Sequence, residues 1–262
     1  MKFKLIERKT GAQFILTGSS ARKLRRQGVN LLGGRAAQRF MHPYMAAELG
    51  SQFNLDKALR QGMLPVVWAA DNPQAILESY NALSREVQVS RKTAEGYLDV
   101  LEDLLLGFRL EVFAKRAKRE LATHPKFYFF DAGVFRVNRP VGPLDSTSEI
   151  DGAALEGLVA QHLRAWCDYS QQKHELFYWQ TRSRSEVDFV VYGESGLFAV
   201  EVKNAKRIDG TELRALNNFA EDYPEAKRFM LYRGDERFSR DGVLCMPVEE
   251  FLLGLKPGNF PS

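Results

Sequence analysis

The sequence predicts a mixed α/β protein, and three stretches carry that expectation. "IDGAALEGLVAQHLRAWCDY" places Leu155, Leu158, Val159, His162, Leu163 and Trp166 along one side of a helix. "EVDFVVYGESGLFAVEVK" reads as two short strands around a polar, Gly-flanked turn. "KRFMLYR" adds a further strand and "PVEEFLLGL" a closing helix, so helices and strands alternate through residues 150–262.

At 262 residues the chain exceeds one average domain, and two or three compact units are expected. A content of 45% hydrophobic and 27% charged residues excludes a disordered polypeptide. No apolar run reaches the ~18 residues that span a bilayer, so no membrane partner is expected. The opening "MKFKLIERKTGAQFILTG" is basic, but "ERKTGAQ" interrupts any apolar core and makes a poor secretory signal. Cys167 and Cys245 lie far apart in apolar settings, which suits a reducing compartment and a cytoplasmic location. The net charge of +4 is too small to announce nucleic acid. The clusters "RKLRR" (Arg22 to Arg26), "KRAKR" (Lys115 to Arg119) and "RSR" (Arg182 to Arg184) read first as solvated surface.

Four segments follow in order. In residues 1–50, "AQFILTGSS" reads as a buried strand running straight into Gly-Ser-Ser, as a parallel strand delivers its carboxyl end to a helix. In residues 51–86, "LDKALRQGMLPVVW" and "PQAILESYNALSREV" predict short helices packed around Leu59, Leu64, Ile76, Leu77 and Tyr80. In residues 87–140, "VSRKTAEGYLDVLEDLLLGF" predicts a helix from a Ser90 cap to a Gly107 stop, with Ala94, Leu98, Leu101 and Leu105 as its buried stripe. "RLEVF" and "KFYFF" then read as a two-stranded hairpin around a basic loop, the element order of a winged helix. Such modules dock on DNA or on other protein surfaces. "RVNRPVGPLDSTSE" is the linker to the last unit, residues 150–262.

The opening hairpin of that unit holds Asp188, Glu201 and Lys203 where apolar residues would ordinarily sit. If Gly193–Gly196 is a four-residue loop, Tyr192 pairs with Leu197. Alternation then puts Asp188, Val190 and Tyr192 on one face, with Asp188 opposite Glu201 and Lys203 beside it. Two carboxylates ~5 Å apart repel by roughly 3 kcal/mol at an effective dielectric of ~20. Either a divalent cation or Lys203 must compensate. Mg²⁺ or Mn²⁺ is the cation that one or two carboxylates plus waters hold. Lys203 would then act on a phosphate oxygen or on the attacking water, with Glu156 as a third carboxylate. The alternative is an ion cluster at the strand ends. His42, His124, His162 and His174 show no metal-ligand spacing, and "TGSSA" is not a nucleophile elbow.

Glu156, Asp188 and the Glu201-Val-Lys203 triplet resemble the PD-(D/E)xK nuclease pattern of a helical Glu, an Asp opening one strand and an acid-x-Lys on the next. The resemblance implies metal ligation by Asp188 and Glu201, assistance from Glu156, and Lys203 at the water or phosphate. It widens through "FILTGSSARKL", "LLGGRAAQRFMHPYMAAEL", "ALRQGMLPVVW", "YLDVLEDLLLGFRL" and "HPKFYFFDAGVFR". In this order they are similar to the AAA-type ATPases of bacteria and archaea whose C-terminal half is the DUF 4143 domain. That family implies an ATPase remnant in residues 1–50, a helical lid in 51–86, a winged-helix-like module in 87–140 and a restriction-endonuclease-like domain in 150–262. It makes Ser19 and Arg35 nucleotide-sensor residues, and DNA or a protein the partner.

The family's phosphate-cradling G-x-x-x-x-G-K-[ST] loop is not in this sequence, and no apolar strand ending in paired acids precedes Phe14. The chain therefore reads as an N-terminally truncated member, with ATP bound only by complete relatives. Calorimetry on the 262-residue chain is expected to detect no ATP binding. A micromolar site would overturn this reading.

Overall fold

The structure, a computed structural model, describes residues 39–89, 94–139, 142, 145–170 and 172–261. Among the described residues it is a mixed α/β protein built on a six-stranded sheet in the order β3-β4-β5-β6-β8-β7. The strands are β3 (His174–Gln180), β4 (Glu186–Gly193), β5 (Gly196–Lys203), β6 (Lys227–Tyr232), β7 (Phe238–Arg240) and β8 (Val243–Pro247). The pairs β3/β4, β4/β5 and β7/β8 are antiparallel, while β5/β6 and β6/β8 are parallel. β7 and β8 have no counterpart in the sequence reading. Their turn is Asp241-Gly242, with φ of 52° and 73°, the positive-φ pair of a tight hairpin.

Both faces of the sheet are covered. One core gathers Phe189, Val191, Phe198, Val200 and Val202 against Leu155, Leu158, Val159 and Trp166 of the long helix Thr147–Tyr169. It continues through Met45, Leu55 and Met63 to Leu255, so the helices before the sheet share it. The other face packs Val187, Val190, Leu197 and Ala199 on Leu213, Leu216 and Phe219, at and within the helix Arg214–Asp222.

The preceding helices are α1 (Ala46–Leu49), α2 (Leu55–Gln61), α3 (Pro65–Trp68), α4 (Pro73–Val89) and α5 (Ala94–Asp103). Next come β1 (Gly107–Leu110), β2 (Lys126–Phe129) and α6 (Ala132–Asn138). The long helix is then α7, Arg214–Asp222 is α8, and Val248–Gly254 is α9. Among the described residues no helix is long and apolar enough to cross a membrane.

Gly107 is not the stop of α5. Leu105 adopts φ 60°, and Leu106 N–H donates to Leu101 O at 2.8 Å while Leu105 N–H donates to Glu102 O at 3.0 Å. That is a Schellman closure with leucine in the left-handed position. Gly107 instead opens β1, where a Cβ would lie 2.1 Å from the Phe127 ring. Ser90, the expected cap, lies outside the described residues.

β1 and β2 pair antiparallel from Gly107↔Phe129 to Leu110↔Lys126. The chain between them runs along the edge of β3. Phe113 N–H donates to Tyr178 O at 2.7 Å, Ala122 N–H to Gln180 O at 2.9 Å, and Arg182 N–H to Glu120 O at 3.0 Å. An edge that would otherwise expose unpaired amides is thereby covered.

Two buried titratable side chains hold the helices together. His162 accepts from Ala46 N–H at 2.9 Å and donates through Nδ1 to Leu158 O at 2.7 Å, so it is a neutral core residue whose pKa burial lowers to about 4. Asp131 caps α6 through Gly133 and Val134 N–H, and its second oxygen accepts from Met63 N–H at 2.6 Å. The approach is close enough that a Cβ on Gly62 (φ 79°) would fall 1.9 Å from the Asp131 carboxylate.

Burial raises the Asp131 pKa from 3.8 to about 6, against the pull of its amide donors. A folded-state pKa above the unfolded one means stability is fullest below the unfolded value and declines as pH rises through the folded value. Measured against Asp131→Asn, the wild-type stability advantage is expected to shrink by up to about 3 kcal/mol between roughly pH 4 and pH 7. Denaturant midpoints at a series of pH values test this. A pH-independent difference would contradict it.

Candidate functional site

β4 and β5 form a hairpin whose turn is shorter than a four-residue loop. Gly193 pairs with Gly196, so Glu194 and Ser195 alone make the turn, and Tyr192↔Leu197 is the next rung. The ladder continues to Phe189↔Val200 and ends there.

At that point the acids take over the role of backbone carbonyls. Asp188 N–H donates to Glu201 Oε2 at 3.3 Å, and Val202 N–H donates to Asp188 Oδ2 at 2.9 Å. The two side chains thus stitch the strands together where they part.

Strict alternation from Val190 to Asp188 does not hold. The β3/β4 register shifts between Phe177↔Val190 and Trp179↔Val187, leaving one extra residue on β4. Val187 and Val190, three positions apart, consequently enter the same core. The bulge separates Asp188 from the Val190 face and aims it at β2 and α7, a known use of an inserted residue.

Four acids and two lysines meet there. Lys203 Nζ lies 2.8 Å from Glu201 Oε1. Lys126, the first residue of β2, reaches Glu156 Oε1 at 3.5 Å and Asp188 Oδ1 at 3.8 Å, and also bonds Glu186. Its ammonium stands 5.3 Å from the centre of the Tyr178 ring. Tyr128, two residues on in β2, donates its hydroxyl to Glu156. Asp188 and Glu201 are only 8% and 5% exposed, and this burial sets their chemistry.

The Asp188 pKa is raised well above 3.8, first by burial and then by Glu201 and Glu156, with Lys126 opposing. Glu201 is raised by burial and held back by Lys203. Burial pulls the Lys126 and Lys203 pKa values down, but the surrounding carboxylates outweigh it and both end up raised. Burial, followed by the charge of Glu156, raises the Tyr128 hydroxyl, so it remains a donor.

The structure therefore brings together Asp188, Glu201, Lys203 and Glu156. Lys126, Glu186 and Tyr128 were not found by reading the sequence. The one available signal, "KFYFF" alternating a lysine and a tyrosine on a strand, names no target 60 residues away. Ser19 and Arg35 lie outside the described residues.

A divalent cation does not fit this arrangement. Asp188 Oδ2 and Glu201 Oε2 are engaged by amides, and Glu201 Oε1 by Lys203. Asp188 Oδ1, Glu156 Oε1 and Glu186 Oε1 face Lys126, and Glu186 Oε2 accepts from the Gln180 side-chain amide. Among the described residues no three His, Cys, Asp or Glu side chains are grouped to hold a metal ion.

A mixed α/β domain with this lysine-balanced acid cluster defines the class, and comparison with known proteins narrows it. Residues 151–251 match the DUF4143 family, described as a domain of unknown function, and residues 66–143 match a second such family, DUF8612. Uncharacterized protein Mb2031c of Mycobacterium bovis and uncharacterized protein Rv2008c of Mycobacterium tuberculosis are each 29% identical over 177 residues. The match covers 65% of this chain and 38% of theirs, so the chain spans well under half the length of these relatives. Protein VC1899 from Vibrio cholerae, a solved structure, aligns at 18% identity over 82% of this chain and 60% of its own. Its TM-score of 0.31 is too low to carry an argument.

Lys203 is the immediate counter-charge of buried Glu201. Lys203→Ala is expected to destabilise by about 1–2 kcal/mol, since the lysine is partly solvated while the carboxylate is left unpaired. Adding Glu201→Gln should recover most of that loss. A double mutant no more stable than Lys203→Ala alone would show that the pair is not coupled.

Proposed function

We propose that the DUF4143 domain is a nuclease-like module that binds the phosphodiester backbone of DNA at the strand end where Asp188, Glu201 and Lys203 meet. The supporting observation is a basic rim around that point. β3, β5 and β6 end there and β4 begins there, given their relative directions. The link after β3 supplies exposed Arg182 and Arg184, and the chain after β5 supplies exposed Lys206 and Arg207. Arg182 is balanced by Glu120 at 2.6 Å and Arg233, after β6, by Asp56 at 2.7 Å. Arg184, Lys206 and Arg207 have no ion-pair partner among the described residues. Positive groups held at one strand end and left unneutralised are the electrostatic footprint of a polyanion.

In this reading residues 51–86 are an AAA-type lid, 87–140 a winged-helix-like module and 150–262 a restriction-endonuclease-like domain, coupled in complete relatives to ATP. Lys203, the half-buried cation at the mouth, would meet a phosphate oxygen. Binding is favoured over hydrolysis because two ammonium groups occupy the places a Mg²⁺ or Mn²⁺ ion would need. A scaffold for a protein partner is the competing reading.

Fluorescence anisotropy with a labelled duplex tests the proposal. The triple variant Arg184→Glu, Lys206→Glu, Arg207→Glu is expected to weaken binding at least tenfold. It should also flatten the salt dependence by about 0.9 log unit for each lost phosphate contact. Unchanged affinity, or no binding by the wild type at low salt, would end the DNA reading.

A further inference from the structure

β1 lies between β2 and the main sheet. Its continuation pairs with β3 at Val112↔Tyr178, where Phe113 N–H donates to Tyr178 O at 2.7 Å and Tyr178 N–H to Glu111 O at 3.1 Å. β2 is therefore the outermost strand on that side, and the parity of its ladder decides what the free edge presents. Phe130 N–H donates to Leu106 O at 3.1 Å, which makes Leu106↔Phe130 a hydrogen-bonded pair. Such pairs alternate along an antiparallel ladder, so Phe108↔Tyr128 and Leu110↔Lys126 are hydrogen-bonded, while Gly107↔Phe129 and Arg109↔Phe127 are not. The same parity appears on β1, where Arg109 N–H turns away from β2 to Glu102 Oε1 at 2.8 Å. The N–H and C=O groups of Phe127 and Phe129 thus point away from β1, and among the described residues they have no hydrogen-bond partner.

This edge is held firmly in place. Phe108 and Leu110 are buried in the main core, and Tyr128 packs on Phe189 with ring centroids 5.7 Å apart. Natural sheets blunt a free edge with charge, proline or a bulge. The far end of the six-stranded sheet does so, since β7 follows exposed Arg237 and ends on exposed Arg240. β2 does not. Its one charge, Lys126, is turned inward to Glu156, Glu186 and Asp188. The opposite face of the strand carries Phe127 and Phe129, edge to face at 5.6 Å.

We infer that β2 is a self-association edge, pairing antiparallel with β2 of a second copy about a two-fold axis at Tyr128. The occupant follows from the order of the strand itself. Phe127-Tyr128-Phe129 reads the same in both directions, so the two-fold sets Phe127 of each copy opposite Phe129 of the other. Their outward N–H and C=O groups are the ones that a hydrogen-bonded pair exchanges, and aromatic pairs directly opposite each other are favourable. Lys126 falls opposite Phe130, so no like charges face one another. Both copies lose their free edge at once, as a self-complementary patch on a two-fold allows. A foreign strand would instead need pockets for its alternate side chains, and the contact between the Phe127 and Phe129 rings closes the space between them. The inference stands apart from the DNA reading and does not rest on it.

The test uses the full chain with no nucleic acid. Sedimentation velocity from micromolar to near-millimolar protein is expected to show a monomer–dimer equilibrium. Hydrogen exchange over the same series should slow at the Phe127 and Phe129 amides as the dimer forms. Phe127→Glu and Phe129→Lys, each alone, put a charge into the pairing and are expected to raise the dimer dissociation constant by about tenfold or more. Mixing the two variants should restore a heterodimer, because the introduced charges then face each other while the remaining Phe129 and Phe127 pair as before. If either variant does not fold, the exchange series on the wild type decides by itself. A wild type that stays monomeric throughout would overturn the inference, as would a dimer that leaves both amides unprotected. A mixture that associates no more tightly than its components would overturn the two-fold register at Tyr128.

Discussion

The constraint from which the architecture around β4 and β5 follows is the burial of negative charge. A carboxylate taken out of water costs several kcal/mol unless a cation and hydrogen-bond donors replace its hydration. Asp188 and Glu201 lie below a tenth of full exposure, and Asp131 is buried as well. Each is answered differently. Asp131 receives amides from two helical segments and, among the described residues, no cation. Glu201 receives an amide and Lys203. Asp188 receives an amide and a share of a lysine 62 positions earlier in the chain. The last draws its cation from β2, an element outside the six-stranded sheet.

That dependence explains why the connection between β1 and β2 lies where it does. It adds bridges at Val112↔Tyr178 in β3 and Leu121↔Thr181 just beyond it, fixing the connection against the sheet edge. The basic "KRAKR" residues on it are largely spoken for. Lys115 faces Glu175 at 3.8 Å, and Arg119 pairs with Glu221 and, at 3.2 Å, with Asp222. A loop that reads as solvated surface in sequence is instead an adhesive between segments. Arg184, with no ion-pair partner among the described residues, lies at a strand end, where the backbone holds it at φ 64° in a tight turn.

What was legible in the sequence is what periodicity encodes. The α7 stripe from Leu155 to Trp166 is buried throughout, and the β4/β5 hairpin follows from its Gly-bounded turn. Helices α2 to α4 were likewise readable from apolar spacing. The bulge at Asp188 was not legible, because an extra residue leaves no compositional mark when Val187, Phe189 and Val190 are all apolar. The Leu105 closure was missed because glycine is the expected left-handed residue, and a glycine two positions later invited the wrong stop. Lys126 was missed for a different reason. Its role is defined by three acids on two other elements, and a single sequence carries no record of such long-range partners.

Those misses concentrate at the site, and the physics gives a reason. Strand pairing and helix packing are repeated local preferences, so each residue announces its part. A charge cluster is satisfied only as a set: two acids on one hairpin predict that a cation is present, but not which. Two facing acids call for a metal or Lys203, and the structure adds a second lysine, Lys126, from β2. Once Lys126 is counted, the ribbon and the sheet cannot be electrostatically independent. Removing the ribbon would leave Glu156, Glu186 and Asp188 facing one another, with Tyr128 withdrawn from Glu156 as well. The charge balance of Glu156, Glu186 and Asp188 is therefore a joint property of the sheet, α7 and β2, and no one of these elements carries it alone.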